Sequence, residues 1–331
     1  MAEQVREVAG REVTVTSPDK QYFPKIGLTK GDVIDYFLEV SDAVLNCTRN
    51  RPVLLQRFPN GVGGTSFFQK RIPDSAPEWL QTTTVETVNG TPSTVLVMAD
   101  EAHLVWAVNL GAFTMHPWPF RALSRDVDEL RIDLDPVPGI GFEQVRTAAA
   151  LTRQYLESFG ITSYLKTSGS KGLHIYVPLA AGWDSYDVRG AAVTVARHLA
   201  ARHPAEITDA WWKEERGRRV FIDFNQNAPH KTVFGAWSIR ARVGAQVSTP
   251  IGWDMLETVS PDDLTVATVP RRLTEFGDPW VDMYANPQDI TALVDEFRNG
   301  LETVGDAPWP PVYPKQPFEP PRVAPSRAKL H

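Results

Sequence analysis

The sequence predicts an α+β protein in which mixed sheets form the core and helices flank them, and three observations predict it. Short runs such as REVTVTS, LRIDLDP and RRVFIDFNQ carry the apolar patterning of strands and recur along the chain. Amphipathic helical stretches separate only some of them, so the order is not an alternating βαβ array. Turn chemistry, including a Gly/Ser run inside ITSYLKTSGSKGLHIYVPL, joins other strands directly.

Taken in order, REVTVTS is a strand, and Thr29-Lys30-Gly31-Asp32 is a capping box opening a helix. Val33, Phe37, Val40 and Val44 then give that helix one apolar face. A second module starts near Asp128 with the strand LRIDLDP, followed by the helix FEQVRTAAALTRQYLESFG, closed by Gly160. Two strands around the Gly/Ser turn follow, then a helix from about Tyr186 to His203. RRVFIDFNQ is a further strand, with Val220, Ile222 and Phe224 on one face and Phe221 and Asp223 on the other. From Asp306 to His331 eight of 26 residues are proline, which predicts a tail that wraps over the surface or stays mobile and carries no catalysis. There is no internal repeat.

With 331 residues, 42% hydrophobic and 22% charged, the chain can bury a real core. No apolar stretch approaches the ~20 residues that span a bilayer, and the N-terminus lacks the order of a signal peptide, so a cytoplasmic location is expected. The single Cys47 leaves no disulfide and no multi-cysteine zinc site; any metal must be held by oxygen. A net charge of −6 argues mildly against a nucleic-acid partner. Between Trp211 and Arg242, however, seven Lys and Arg stand against three acids, a local excess of +4.

Chemistry concentrates in a few places. In Ile132-Asp133-Leu134-Asp135-Pro136 the two aspartates share a strand face, with α-carbons ~6.5–7 Å apart. Such carboxylates repel unless a cation lies beside them, and oxygen ligands suit Mg²⁺ or Mn²⁺. A solvated turn is the bland alternative. Asp223 is a third acid in an apolar strand, costly to bury unless salt-bridged to a neighbouring arginine or used. Three acids on strand ends match two-metal phosphoryl chemistry, where the cations stand ~3.5–4 Å apart. Thr167 to His174, T-S-G-S-K-G-L-H, offers a tight turn whose amides, Ser168, Ser170, Lys171 and His174 suit a triphosphate; a bare β-turn with a solvated lysine is the alternative. It is not a Walker loop. Ser238-Ile239-Arg240-Ala241-Arg242 brings further guanidinium groups.

The ordered set D-L-D-P, S-G-S-K-G-L-H, V-F-I-D-F-x-Q-N, K-T and S-I-R-x-R resembles the archaeo-eukaryotic primase superfamily, and more closely the polymerase domain of bacterial ligase D. S-P-D-K-x-x-F-P from Ser17, the T-K-G-D-V helix, R-P-V-L-L-Q-R-F-P-N-G from Arg51 and F-F-Q-K from Phe67 extend the resemblance over roughly Ser17 to Asp282. It implies one primase-polymerase catalytic domain over residues 1–305, made of an N-terminal module (about 1–125) and a metal-site module (about 126–305), with a tail over 306–331.

Carried over by position, the resemblance implies that Asp133, Asp135 and Asp223 are the catalytic metal ligands. It assigns Ser168, Lys171, His174, Gln226, Lys231 and Arg240 to the incoming nucleotide, together with His116, which alternatively makes a structural hydrogen bond. Arg216 falls near the template strand. Phe67, Phe68 and Lys70 fall on the surface that holds a downstream 5′-phosphate; one of the two phenylalanines is expected in the core. Gln56 stands where the family commonly has a second phosphate-binding lysine, which leaves Arg57 or Arg71 as replacement cations.

The implied activity is template-directed, Mn²⁺- or Mg²⁺-dependent addition of nucleoside triphosphates, often ribonucleotides, at gaps or broken DNA ends in the bacterial nucleoid. Gapped DNA, Ku and a separate ligase are the implied partners, since no K-x-D-G ligase motif is present and a stand-alone homologue is expected. De novo priming and a silent end-binding or Ku-recruiting module are the rival readings.

Overall fold

The computed structural model describes residues 3–321. Strands β1 (Glu3–Val8) and β2 (Arg11–Thr16) form a hairpin, and β3 (Gln21–Phe23) pairs with β4 (Leu28–Thr29). Thr29 then caps α1 (Lys30–Glu39), its hydroxyl accepting from the Asp32 amide while the Asp32 side chain accepts from the Thr29 amide. The capping box is therefore real. The single helix expected beyond it is two: the chain breaks at Val40 and resumes as α2 (Ser41–Thr48). Val33, Phe37, Val40 and Val44 are still all buried, because Val40 caps one helix and opens the other without leaving the apolar face.

A five-stranded sheet follows from β5 (Pro52–Arg57), β6 (Phe67–Gln69), β7 (Thr82–Glu86), β8 (Pro92–Val97) and, after α3 (Glu101–Asn109), β9 (Thr114–Pro117). β5 is its hub, pairing with β6, β8 and β9. The second half builds a six-stranded sheet from β10 (Glu129–Pro136), α4 (Phe142–Ser158), β11 (Tyr164–Thr167), β12 (Leu173–Pro178), α5 (Ser185–Arg202), β13 (Ile207–Thr208), β14 (Val220–Asp223) and β15 (Pro250–Ile251), in the order β13-β14-β10-β12-β11-β15. Its strands are antiparallel except β13 beside β14. Helices α6 (Val269–Phe276) and α7 (Thr291–Gly300) follow and, with a few short 3₁₀ turns, complete the regular structure of the described residues. The architecture is the expected α+β arrangement of mixed sheets.

β10 is the axis of this sheet. Leu130, Ile132 and Leu134 are fully buried on one side, where α4 and α5 pack against the strand, and Glu129, Arg131, Asp133 and Asp135 occupy the other. Gly160, at φ +72°, ends α4, its amide bonding back to Glu157. β14 stops at Asp223, short of the expected RRVFIDFNQ strand, because Phe224–Asn227 turns into a 3₁₀ helix whose first free amide, that of Asn225, is taken by the Asp223 carboxylate. One continuous apolar core joins both halves. The segment around Gly235 to Ile239 stitches them, bonding to Phe113, Thr114 and Met115 beside β9. No helix among the described residues is long and apolar enough to cross a membrane.

Candidate active site

The strand registers assemble a row of four side chains across the six-stranded sheet. Asp133 on β10 lies opposite Asp223 on β14 and, on its other flank, opposite His174 on β12; His174 in turn lies opposite Lys166 on β11. Directly opposed residues on neighbouring strands share a face, with strands about 4.8 Å apart. Asp223, Asp133, His174 and Lys166 thus line up, and Asp135 follows two residues along β10 towards solvent.

The electrostatics of this row are unbalanced. Burial pushes the Asp133 carboxyl up to about 8, aided by repulsion from Asp223 and Asp135 and opposed by Lys166 and Arg240. Burial also raises Asp223, against Lys231, the Asn225 amide and Gln226. Asp135 is raised by burial and held back by Arg216 and Lys213. Two of the carboxylates have local partners: Asp223 accepts from the Asn225 amide (3.1 Å) and Gln226 Nε2 (2.9 Å), and Asp133 Oδ1 stands 3.3 Å from His174 Nε2. Consistent with these separate attachments, no group of three or more His, Cys, Asp or Glu side chains among the described residues is arranged to hold a metal ion. The donor set nevertheless fits hard divalent cations: three carboxylates, two facing each other across adjacent strands, whose charged forms are disfavoured until positive charge joins them.

Around the row stand the cations. Lys166 is fully buried, donates to Ser248 Oγ at 2.6 Å, and has its pKa driven well down by burial and then by Arg240. The sequence reading missed it, although a lysine beside buried Leu165 in a short strand poses the same desolvation problem as Asp223. His174 is kept neutral by burial and by Lys166 and Arg240, with Nδ1 buried and unpartnered. Arg240 lies 3.5 Å over the Phe234 ring and donates from Nε to the Ser168 carbonyl at 2.7 Å, which anchors it to the phosphate-binding candidate turn. In that turn Ser168 Oγ accepts from the Gly172 amide at 3.1 Å. Gly169 sits at φ +68°, and a Cβ there would stand 2.9 Å from Arg240 Cγ; one on Gly172 would meet the Leu134 carbonyl at 2.7 Å. Both glycines therefore let the turn lie directly on β10 and Arg240. Lys171, at its tip, is exposed, and Lys231 is half-buried beyond the 3₁₀ turn.

Other expected residues are placed less directly. Gln226 is spent on Asp223, orienting the carboxylate. Arg216 stacks 3.5 Å over Phe221, donates to the Ala210 and Trp211 carbonyls and pulls on Asp135 and Asp223, so it stands at the acid cluster's edge. His116 lies edge-on between Phe68 and Phe234, its pKa lowered to about 3 by burial and then by Arg240 and Lys166; its Nε2 is buried without a partner. Phe67 and Phe68 are both about half exposed, 48% and 47%, which corrects the expectation that one is core. The reason is that β6 is an edge strand. Arg57 is engaged by the Leu110 carbonyl and Gln69 and lies over Phe67, while Gln56 reaches only Ser66 at 3.4 Å. Arg71 is exposed, and Lys70 borders a cavity of about 480 Å³ shared with Trp118 and His230.

Comparison with known proteins gives this geometry a context. A family model described as the LigD primase-polymerase domain matches residues 29–280. The multifunctional non-homologous end joining DNA repair protein LigD of Mycobacterium tuberculosis is 33% identical over 277 residues, covering 81% of this chain and 36% of the relative. The bifunctional non-homologous end joining protein LigD of Bacillus subtilis is 35% identical over 288 residues, covering 86% of this chain and 46% of the relative. The chain thus spans less than half the length of these curated relatives. The solved polymerase domain from Mycobacterium tuberculosis ligase D in complex with DNA superposes with a TM-score of 0.79 at 31% identity, over 83% of this chain and 99% of that one.

Proposed function

Since the chain belongs to the LigD primase-polymerase domain family, we propose that it extends primer 3′ ends at short gaps or broken DNA ends by metal-dependent nucleotidyl transfer, often from ribonucleotides. The observation that carries this reading is Asp133 facing Asp223 directly across adjacent strands, with Asp135 on the same face of β10. Two half-buried acids opposed in this way are poor structure and good ligands.

Asp133, Asp135 and Asp223 would hold the divalent cations, Mg²⁺ or Mn²⁺. Bound there, the cations supply the charge that favours attack of a 3′-hydroxyl and departure of pyrophosphate. Gln226 and the Asn225 amide hold the Asp223 carboxylate in place. Lys171, Arg240 and Lys231 bind the triphosphate electrostatically, and the Ser168 turn positions Arg240 through its carbonyl. Neutral His174 and His116 present polar nitrogens without adding positive charge of their own. Arg216 and the exposed Phe67–Lys70 edge offer contacts to the DNA strands. DNA carrying a gap or end is the partner this surface suits, with Ku and a separate ligase as the end-joining company.

The test is nucleotide addition to a primed gapped duplex by wild type and by an Asp133→Ala/Asp135→Ala double variant, with binding of the same duplex measured in parallel. Loss of addition with binding retained is expected. Equal rates in the two proteins would end the metal assignment, and binding without addition by the wild type would favour a silent end-binding module.

A further inference from the structure

The C-terminal segment beyond residue 305 lies outside the family-matched stretch, which ends at 280, yet it is tied to the turn that carries Asp223. The tie runs through Arg189 on α5, which is 1% exposed. Its guanidinium donates to Asn225 Oδ1 (2.8 Å), to Asp306 Oδ1 (2.9 Å) and to the Ala307 carbonyl (2.9 Å), and lies 3.8 Å over the Trp309 ring. Asn225 Nδ2 donates in return to the Pro308 carbonyl at 3.0 Å. Trp309 Nε1 donates to Asp306 Oδ2, and the Tyr313 hydroxyl donates to the Pro229 carbonyl at 2.8 Å. Trp309 and Tyr313 enclose Ala228 in a small apolar cluster of their own.

Asn225 is thus gripped on both side-chain atoms from behind, while its backbone amide holds the Asp223 carboxylate in front. Pro229 is clamped one residue before His230, which adopts φ +64°, and two before Lys231. A segment fastened at Asn225 and at Pro229 has little freedom to let Asp223 or Lys231 drift. A buried arginine that splits its donors among a tail aspartate, a tail carbonyl and an active-site turn is a poor choice for mere tail docking, which an apolar patch would achieve at less desolvation cost.

We propose that residues 306–313 form a strap that sets the position of Asp223 for metal binding, with Arg189, Asn225 and Trp309 as positioning residues. The inference rests on the assignment of Asp223 to the metal site. It deepens that assignment by adding a segment that no local motif connects to it.

The experiment uses the full chain with Arg189→Lys, which keeps the buried charge and removes the planar fork, and Trp309→Leu, which leaves Arg189 and Asp306 paired and so guards against a folding failure of the first. Mn²⁺ alone is titrated into each protein and the free ion read by electron paramagnetic resonance. Nucleotide addition to a primed gap is followed over the same Mn²⁺ range. Both variants are expected to bind Mn²⁺ about tenfold more weakly, the usual size of a supporting-contact loss, with the metal midpoint for nucleotide addition raised equally and the rate recovering at saturating Mn²⁺. Asp223→Asn serves as the reference for direct ligand loss. If it weakens Mn²⁺ binding while both strap variants bind as the wild type, with only a lowered Tm, the strap is merely structural and the proposal is overturned. If Asp223→Asn itself binds Mn²⁺ like the wild type, the metal assignment falls and takes the strap with it.

Discussion

Glu129 and Asp133 leave the same face of β10, four residues apart, and meet opposite surroundings. Glu129 is 3% exposed and fully paired: Arg131 reaches it at 2.6 Å, Arg51 at 2.9 Å, and the Tyr284 hydroxyl donates to it. Burial alone would raise its pKa, yet Arg51 and Arg131 hold it below the ordinary carboxylate value. At the other end Asp133 meets another acid across the strand and a neutral histidine, and burial, then repulsion from Asp223 and Asp135, takes its pKa up. Satisfied charges knit the residue before β5 to the start of β10, Arg51 binding Asp128 and Glu129, as structure requires. Opposed acids are a contact that structure alone does not call for, and the proposed metal site rests on that contrast.

The comparison is broken most directly by Asp133→Asn. Nucleotide addition should fall by at least about 10²–10³-fold, the scale of losing a group that stabilises transition-state charge. The same change should stabilise the metal-free fold by roughly 0.5–2 kcal/mol, because it removes repulsion with Asp223 and Asp135 and follows the usual trade between activity and stability. Urea melts without metal give the second number. A destabilised Asp133→Asn would show that Asp133 is a paired structural acid like Glu129.

Arg51→Met is the converse experiment. It leaves Glu129 and Asp128 short of their buried partner and should cost about 3–5 kcal/mol. The pH profile carries a sign: a carboxyl whose folded pKa is depressed lends stability that is complete above its ordinary value of 4.5 and disappears as pH falls through the lower folded value. The Glu129 share of wild-type stability should therefore drop on acidification below about 4.5, while the raised Asp133, Asp135 and Asp223 work in the opposite direction in both proteins, so Arg51→Met, which lacks that share, should lose less than the wild type there. Chemical denaturation between pH 3 and 6 tests both, and a steeper acid loss in the variant would contradict the pairing.

Nucleotide contacts should show smaller effects. Lys171→Ala removes an exposed cation from the tip of the turn and should raise KM for the nucleotide by about tenfold with kcat nearly unchanged, the mark of binding present before the chemical step. Arg240→Ala should raise KM and lower kcat too, since Arg240 also packs on Gly169 and Phe234 and acts on Asp133. Steady-state kinetics at saturating gapped DNA separates the two. Identical effects would mean that both are simple phosphate contacts.

What could be read from the sequence follows from how local each signal is. The acids of LRIDLDP and VFID declare themselves, because a strand's period of two shows which face each occupies, and Gly169 and Gly172 announce a turn that a Cβ would block. Lys166 and the strap were not legible, because Lys166 gains its meaning from register with His174, and Arg189 reaches Asp306 across 117 residues. Arg51 likewise finds Asp128 across 77. Long-range pairing leaves no local pattern. Phe67 and Phe68 failed for a related reason: adjacent aromatics read as half core, but only the sheet order reveals that β6 has no neighbour on one side.

The smallest expected effect concerns the β6 edge of the five-stranded sheet. Gln56 pairs in register with Phe68 and makes one weak contact to Ser66, so a lysine there would leave no buried partner behind. Lys70 is an exposed cation beside the same edge. Arg57 is not available as a substitute, being engaged by the Leu110 carbonyl and Gln69, which leaves Arg71, exposed and holding only the Pro92 carbonyl at 3.5 Å. Lys70→Ala should thus reduce the preference for a gap with a downstream 5′-phosphate, Arg71→Ala should reduce it further, and Arg57→Gln should act mainly on stability. Gln56→Lys should increase the preference by about two- to fivefold, the size of a solvent-exposed ion pair. The measurement is binding of duplexes that differ only in that phosphate, at one fixed salt concentration, because cation–phosphate affinity falls steeply with ionic strength. If Gln56→Lys gains nothing while Lys70→Ala loses nothing, this edge does not read the phosphate, and its exposed aromatics serve the DNA bases alone.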